Sequence, residues 1–338
     1  MNRCAHLLCG ATLVLACACT ADAGSASRAV PSSAASPAPS QTTGPPRPTP
    51  SSSPTPSSSP AATAAPARPA VFDNRAAMAT IRSLSESIGP RETTSAAYRR
   101  AAALVDARLR RLGYMVRQQS LRVPAGVSWG VPVPAGRTVN VIAEPPGFQV
   151  SARHLVVGAQ LDTVPQAPGA NDNASGVAVM LELARLAMLS PPPVPVVFVA
   201  FAAEEPRGPT DDDHHYGSRA YVAAMSPAAR RGLVGMISVD RVGLGTYVPV
   251  CTGGRSPRTM AAVLLTQAAR LRIPARACRN RTSDHWSFER AGLTAVRVGG
   301  WQPDPAYHTA RDRIGVIQPA RLHSVGVLVW QTVRTMPR

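Results

Sequence analysis

The sequence predicts an α/β fold, a three-layer α/β/α domain with a central, mostly parallel mixed sheet. Short apolar runs rich in Val, Ile and Leu alternate along the chain with segments whose apolar residues have helical spacing. The runs are continuously apolar, which is typical of strands buried on both faces between layers of helices. Acidic residues closely follow several of the runs, and the carboxyl ends of strands are where α/β sheets build their sites.

Four of the apolar runs contain no charged residue and have the length of a strand. We predict strands over residues 139–143, 155–161, 194–202 and 234–239. Thr94 is placed to cap a helix that runs to Leu112, and Gly113 follows at the position of a C-cap glycine. We predict further helices over residues 176–189, 218–225, 257–271 and 319–335.

Composition along the chain predicts three parts. Residues 1–23 have the features of an export signal, with Arg3 ahead of an apolar run over 7–16 that is too short to span a bilayer. A competing interpretation is a lipoprotein signal, in which Cys17 is the lipidated residue. Residues 24–70 are almost entirely Ala, Pro, Ser, Thr and Gly and predict a disordered linker. Residues 71–338 predict one folded domain, outside the cell or on the outer face of its membrane.

The charge of the chain is strongly positive, with a formal net charge of +17. All of its basic residues other than histidine are arginines, and they are scattered, without a basic run or interleaved aromatic residues. This pattern favours a compositional bias toward arginine over a nucleic-acid-binding role.

The cysteines also separate by region. Four lie in the predicted signal, and only Cys251 and Cys278 lie in the predicted domain. Two cysteines in an exported domain predict one disulfide. A metal role is disfavoured, because neither cysteine has a Cys or His partner nearby at the spacing of metal ligands.

Five residues after the predicted strands have the chemistry of a metal site. Asp172 lies in a Gly- and Asn-rich loop, Glu204 and Glu205 are adjacent, Asp240 ends a strand, and His308 follows Tyr307 near the C-terminus. Carboxylates that converge with a histidine repel one another unless a cation compensates their charge. Oxygen and nitrogen donors without thiolates suit Zn²⁺, and suit Mn²⁺ or Co²⁺ less well.

Six short segments in order resemble the secreted zinc aminopeptidases, a family that includes aminopeptidase Y and, more distantly, the glutaminyl cyclases. Each segment alone is weak, but their order and spacing agree over nearly all of residues 77–335. The segments are 157–162 (VGAQLD), 168–176 (PGANDNASG), 203–205 (AEE), 239–240 (VD), 283–285 (SDH) and 307–309 (YHT).

The resemblance implies a role for each residue. Asp172 resembles the carboxylate that bridges two zinc ions, and Glu205 and His308 resemble the other ligands of one ion. Asp240 resembles a ligand of the second ion. The resemblance also implies that Glu204 is the general base that activates water and that Tyr307 supports the oxyanion, so the chain is expected to release N-terminal residues from peptides.

One position departs from the family, because Gln160 stands where the resemblance implies a histidine ligand of the second ion. A neutral amide oxygen is a poor zinc donor, so we expect one zinc ion or two, with Gln160 either a weak ligand or a polar residue satisfied by hydrogen bonds. Asp162, which the resemblance implies would orient that histidine, loses this task.

Two alternatives stay open at this stage. The chain could be a weakened relative that binds peptides without cutting them, or a single-zinc acyltransferase similar to the glutaminyl cyclases. Asp284 and His285 could line the substrate pocket or hold a loop by hydrogen bonds. The acidic and histidine run over residues 211–215 is predicted to be a solvated loop rather than a metal site.

Overall fold

The computed structural model describes residues 71–255, 257, 259–300 and 302–337. The predicted signal, with Cys17, and the predicted linker lie outside the described residues. Within the described ranges, no helix has both the length and the apolar character needed to cross a membrane.

Eight of the strands in the described part of the chain form one mixed sheet. The strands are β1 (Met115–Val123), β2 (Gly126–Ser128), β3 (Val131–Val133), β4 (Gly136–Glu144), β5 (His154–Gln160), β6 (Val196–Phe201), β7 (Leu233–Val239), β8 (Val248–Thr252), β9 (Ala275–Arg279) and β10 (Ala295–Val298). The order in the sheet is β1-β4-β6-β5-β7-β10-β8-β9, and β2 and β3 form a separate hairpin. The central pairs β6-β5, β5-β7 and β7-β10 are parallel, whereas β1-β4, β4-β6 and β10-β8 are antiparallel.

Helices cover both faces of the sheet. The helices are α1 (Asn74–Arg82), α2 (Ala96–Arg111), α3 (Ser175–Leu189), α4 (Tyr216–Ala224), α5 (Pro227–Gly232), α6 (Thr259–Arg270), α7 (His285–Arg290) and α8 (Pro319–Thr335). One apolar core is packed by α1, α2, α3, α6 and α8, and α4 and α7 contribute to a second core on the opposite face.

Strand β6 shows how the sequence divides between the two cores. Phe198 and Ala200 belong to the first core, and the residues that alternate with them, Val199 and Phe201, belong to the second. Side chains alternate across a strand, so an entirely apolar strand needs an apolar layer on each face. The predicted three-layer α/β/α class with a mostly parallel mixed sheet is therefore confirmed.

The four predicted strands and five predicted helices all exist; α8 has the predicted ends, and the ends of the other elements are shifted. The capping residue of α2 was predicted wrongly, because the side chain of Ser95, and not that of Thr94, accepts a hydrogen bond from the backbone of Tyr98. Gly113 does follow that helix, with a φ of 97° that suits glycine. The predicted bond between Cys251 and Cys278 is present and joins β8 to β9.

Other elements were not predicted. Strand β1 lies at the edge of the sheet and carries Arg117, Gln118 and Gln119 at its centre, so it lacks the apolar run that marks β5 and β6. Strand β9 pairs at the opposite edge and is similarly polar. Edge strands bury less side-chain surface, and their hydrophobic pattern is correspondingly weaker.

Candidate metal centre

The predicted site residues come from loops at the carboxyl end of the parallel strands. Gln160 ends β5, Glu204 and Glu205 follow β6, and Asp240 follows β7. Two further loops complete the group: Asp172 lies in the turn that enters α3, and His308 lies in the loop between β10 and α8. The topology thus brings these six residues to one edge of the sheet.

Three of these residues form a buried cluster. One ligand atom from each of Asp172, Glu205 and His308 lies within 4.8 Å of the others. His308 Nε2 is 3.1 Å from Asp172 Oδ2 and 3.2 Å from Glu205 Oε2. His308, the most accessible of the three, is 7% exposed.

The donor set of this cluster fits a zinc ion. Nδ1 of His308 and Oε1 of Glu205 are buried without a hydrogen-bond partner among the described residues, and Nε2 of His308 faces carboxylate oxygens of both Asp172 and Glu205. Buried polar atoms are costly to leave unpaired, and one imidazole with two carboxylates is a common set of zinc ligands. Burial opposes protonation of His308, but the charges of Glu205 and Asp172 raise its pKa to about 10. The cluster therefore attracts positive charge.

The loop that carries Asp172 is held by the carboxylate of Asp312. Oδ1 of Asp312 accepts a hydrogen bond of 2.7 Å from the backbone N–H of Asn171, and Oδ2 accepts one of 3.0 Å from that of Asp172. Burial raises the pKa of Asp312 to about 6, which the two backbone donors partly oppose. Asp312 was not predicted as a site residue, because it lies outside the segments that carry the resemblance.

Arg91 holds the preceding part of the same loop. Its guanidinium is fully buried and donates to the carbonyl oxygens of Leu161, Pro168 and Gly169 at 2.8, 2.6 and 3.0 Å. Burial lowers the pKa of Arg91 to about 10, although Asp312 and other nearby carboxylates raise it. These contacts fix the path of the loop between β5 and Asp172.

Glu204 lies next to the cluster in an environment that favours its neutral form. Burial and the charge of Glu205 raise the pKa of Glu204 well above its ordinary value. Asp162 accepts hydrogen bonds from the backbone N–H groups of Glu204 and Glu205 at 3.1 and 3.3 Å. In the absence of a histidine at position 160, Asp162 thus fixes the backbone of the two glutamates, and burial raises its own pKa to about 7.

His215 is a neighbour of Glu204 that the sequence did not reveal. Its Nε2 lies 3.3 Å from Glu204 Oε1, and its side chain is buried. The prediction that residues 211–215 are a solvated loop is therefore wrong for His215, although Asp211 and Asp212 are exposed. The reason is a backbone contact: the N–H of His215, whose φ of 57° is left-handed, donates to the carbonyl oxygen of Glu204 at 3.0 Å and joins the end of this run to the site.

Aromatic side chains pack against His308 of the cluster. The ring of Tyr307 stacks on that of His308 at 3.6 Å, and the guanidinium carbon of Arg241 lies 3.7 Å from the Tyr307 ring centre. Trp129, at the tip of the β2-β3 hairpin, has its ring centre 4.3 Å from that of His308 and is 54% exposed. Trp129 was not predicted, because nothing near it in sequence marks it as a site residue.

Gln160 and Asp240 lie beside the cluster but outside it. Gln160 Nε2 donates to Asp172 Oδ1 at 2.9 Å, and its Oε1 accepts from Asn173 Nδ2 at 2.7 Å. Asp240 Oδ2 lies 3.0 Å from Nη2 of Arg297. This arrangement favours the alternative in which Gln160 is a polar residue satisfied by hydrogen bonds. The ligand roles of Gln160 and Asp240 stay predictions, and these contacts disfavour them.

Asp284 and His285 are both fully buried. His285 Nε2 lies 2.9 Å from the carbonyl oxygen of Asn280, and burial lowers the pKa of His285 to about 3. This contact supports the interpretation in which His285 holds a loop by a hydrogen bond.

Sequence comparison decides the family. The model of "Peptidase family M28" matches residues 140–333, which is more than half of the chain. The chain belongs to peptidase family M28. This confirms the resemblance to zinc aminopeptidases inferred from the six segments.

Two curated relatives of this M28 chain are named as aminopeptidases. It is 32% identical over 195 residues to aminopeptidase YwaD of Bacillus subtilis, which covers 53% of this chain and 40% of that protein. It is 30% identical over 198 residues to the probable lipoprotein aminopeptidase LpqL of Mycobacterium tuberculosis, which covers 54% of this chain and 38% of that one. The M28 chain thus spans less than half the length of these relatives.

Solved structures share the M28 fold. The zinc aminopeptidase BSAP from Bacillus subtilis superposes with a TM-score of 0.69 at 20% identity, over 79% of this chain and 95% of that one. A glutaminyl cyclase from Bacteroides thetaiotaomicron bound to N-acetylhistamine also has a TM-score of 0.69, at 19% identity, over 79% of this chain and 99% of that one. Both comparisons support the α/β architecture.

If Asp312 positions Asp172, then Asp312→Ala should weaken zinc binding without removing a ligand. We expect the zinc dissociation constant to rise about 10- to 100-fold, the usual cost of removing a group that orients a ligand. Competition with a chromophoric chelator measures it. Asp106→Ala on α2, where the carboxylate pairs with Arg110, is the control, and an equal loss in both variants would contradict the positioning role.

Proposed function

We propose that this protein is a zinc-dependent aminopeptidase that hydrolyses the N-terminal residue of peptides. The observation that carries the proposal is the buried cluster of Asp172, Glu205 and His308, whose ligand atoms lie within 4.8 Å of one another beside Glu204. Family membership and the aminopeptidase names of the relatives support the same activity.

The three cluster residues would hold the zinc ion. A bound zinc ion would supply Lewis-acid chemistry, which polarises oxygen and makes water easier to deprotonate at neutral pH. The side chains would contribute two oxygen donors and one nitrogen donor, and three protein ligands are the set that catalytic zinc sites use. The contacts of Asp172 with Asp312 and of the glutamate backbone with Asp162 keep these donors in place.

Glu204 would act as the general base. Its carboxylate would take a proton from the attacking water and return it to the departing amine, which requires a pKa near the working pH. Burial and the charge of Glu205 both raise the pKa of Glu204 from its ordinary value, in the direction this role needs. The 3.3 Å contact with His215 would hold the carboxyl group in position.

Tyr307 would stabilise the negative oxygen that develops on the scissile carbonyl. Burial raises the pKa of Tyr307 above its ordinary value, so the phenol keeps its proton and can donate a hydrogen bond. Stacking against His308 and the contact with Arg241 fix the ring. The free amine of the substrate would be held by the surrounding carboxylates, which would restrict cleavage to the first residue.

Replacing the base while keeping its shape tests the mechanism. We expect Glu204→Gln to lower kcat on aminoacyl anilides by about 10²- to 10⁴-fold, because the amide cannot accept the proton. Zinc content should be unchanged, since Glu204 is not one of the three clustered ligands. Glu86→Gln, on the helical turn after α1, is the control.

The same assay distinguishes the alternatives. Full activity of the Glu204→Gln variant would contradict the proposed base. Formation of pyroglutamate from N-terminal glutamine, without release of amino acids, would favour a glutaminyl-cyclase-like acyltransferase. Binding of peptides by the zinc-loaded protein without turnover would favour a peptide-binding relative.

The hairpin tip gives a prediction about substrate choice. An exposed indole beside His308 offers apolar surface to the first side chain of a peptide. We expect Trp129→Ala to raise KM about tenfold for substrates with large apolar first residues, with a smaller effect on alanyl substrates. Trp129→Phe should restore most of the loss. Val127→Ala, at another exposed residue of the hairpin, is the control, and an equal change for all substrates would contradict a specificity role.

We also propose that the protein acts outside the cytoplasm, released or attached through a lipid on Cys17. The predicted signal supports export, and the name of the relative LpqL as a probable lipoprotein aminopeptidase supports attachment. Expression in the native host type should place the protein in the membrane fraction, and Cys17→Ser should shift it to the medium. Release of both forms alike would favour cleavage after residue 23 instead.

A further inference from the structure

A buried ion pair stands where the family resemblance implies a second zinc ion. Asp240 Oδ2 lies 3.0 Å from Arg297 Nη2, and both side chains are 2% exposed. Arg297 lies on β10, next to β7, whose end leads directly into Asp240. The carboxylate that the resemblance assigns to the second ion therefore already faces a positive charge supplied by the protein.

The guanidinium of Arg297 is fixed from its other side. Its Nη1 donates to Asn280 Oδ1 at 2.9 Å and to the carbonyl oxygen and Oγ1 of Thr282, both at 3.0 Å. A Cβ atom at Gly300 would lie only 1.8 Å from Nη2, so the absence of a side chain at this position makes room for the arginine. The surrounding chain is thus shaped to hold this cation.

Gln160 completes the arrangement from the side of Asp172. Its amide nitrogen donates to Asp172 Oδ1 at 2.9 Å, and its oxygen is engaged by Asn173 Nδ2 at 2.7 Å. Asn173 Nδ2 also donates to the carbonyl oxygen of Val239, the residue before Asp240. On this side of the cluster, Asp172 Oδ1 and Asp240 Oδ2 each face an N–H donor, whereas Asp240 Oδ1 is buried without a hydrogen-bond partner among the described residues.

We propose that Arg297 permanently occupies the place of the second cation, so that this centre binds one metal ion, at Asp172, Glu205 and His308. The inference rests on the proposed metal centre and specifies how many ions it holds. An arginine side chain keeps its charge under physiological conditions and cannot dissociate as a metal ion can. A divalent ion at Asp240 would be repelled by the buried guanidinium, which makes simultaneous occupancy unfavourable.

This assignment gives Arg297 a role in setting how many metal ions the centre holds. It compensates the charge of Asp240 and holds that carboxylate beside the site. Gln160 and Arg297 act together. With glutamine at position 160, the second place lacks the imidazole ligand that the resemblance implies, and Arg297 supplies a positive charge there. Restoring a second metal ion should therefore require changes at both positions.

The experiment is zinc stoichiometry by elemental analysis of the purified full-length protein, dialysed against excess zinc and then desalted. We expect about one zinc ion per chain for the wild type and about two for the double variant Gln160→His/Arg297→Met, which restores an imidazole and removes the cation. Gln149→His, at an exposed position, controls for zinc bound by an added histidine. Thermal unfolding checks that each variant is folded.

Two results would overturn the proposal. Two zinc ions in the wild type would show that Arg297 does not hold the second place, and one zinc ion in a folded double variant would show that its removal does not open that place. If the double variant does not fold, Asp240→Asn decides the question. Unchanged zinc content in that variant supports the pairing with Arg297, and loss of zinc would show that Asp240 is a ligand.

Failure of this inference is distinguishable from failure of the proposed function. A wild type that binds two zinc ions and releases amino acids would contradict only the role of Arg297. A wild type that binds no zinc and releases no amino acids would contradict the proposed function itself.

Discussion

The concentration of buried carboxylates at one edge of the sheet is the constraint on which the rest of the site depends. Neighbouring loops at this edge carry four carboxylates that are nearly inaccessible to water: Asp172, Glu204, Glu205 and Asp240. Burial of charge without compensation is too costly to persist in a stable fold. The surrounding structure therefore supplies positive groups and oriented N–H donors, and the three-residue cluster leaves a place for a metal ion.

The protein meets this constraint in two different ways on the two sides of Asp172. On one side, Nε2 of His308 faces Asp172 and Glu205, while Nδ1 of His308 and Oε1 of Glu205 have no hydrogen-bond partner among the described residues. On the other side, Gln160 donates to Asp172 and Arg297 pairs with Asp240. In the proposed one-ion centre, a metal ion would compensate the carboxylates on the first side, and the arginine side chain would compensate Asp240 on the second.

The sequence predicted what depends on local pattern and missed what depends on tertiary packing. Strands β5 and β6 were recognisable because burial on both faces demands an apolar run, whereas the edge strand β1 carries no such run. Asp172, Glu205 and His308 were recognisable because their segments have a characteristic order. Arg297 and Trp129 were not, since an arginine in an apolar strand and a tryptophan in a short hairpin acquire meaning only from their neighbours in space.

The contacts of Arg91 have a consequence for how this enzyme family is compared. Its side chain shapes the loop before Asp172, yet it lies well ahead of residue 140, where the match to the family model begins. The hairpin with Trp129 also precedes that boundary. A substitution in the segment before the matched region can therefore alter the surroundings of the metal cluster while every residue of the matched region stays the same. Under the proposed function, the part of the chain that the family model does not match would contribute to substrate choice.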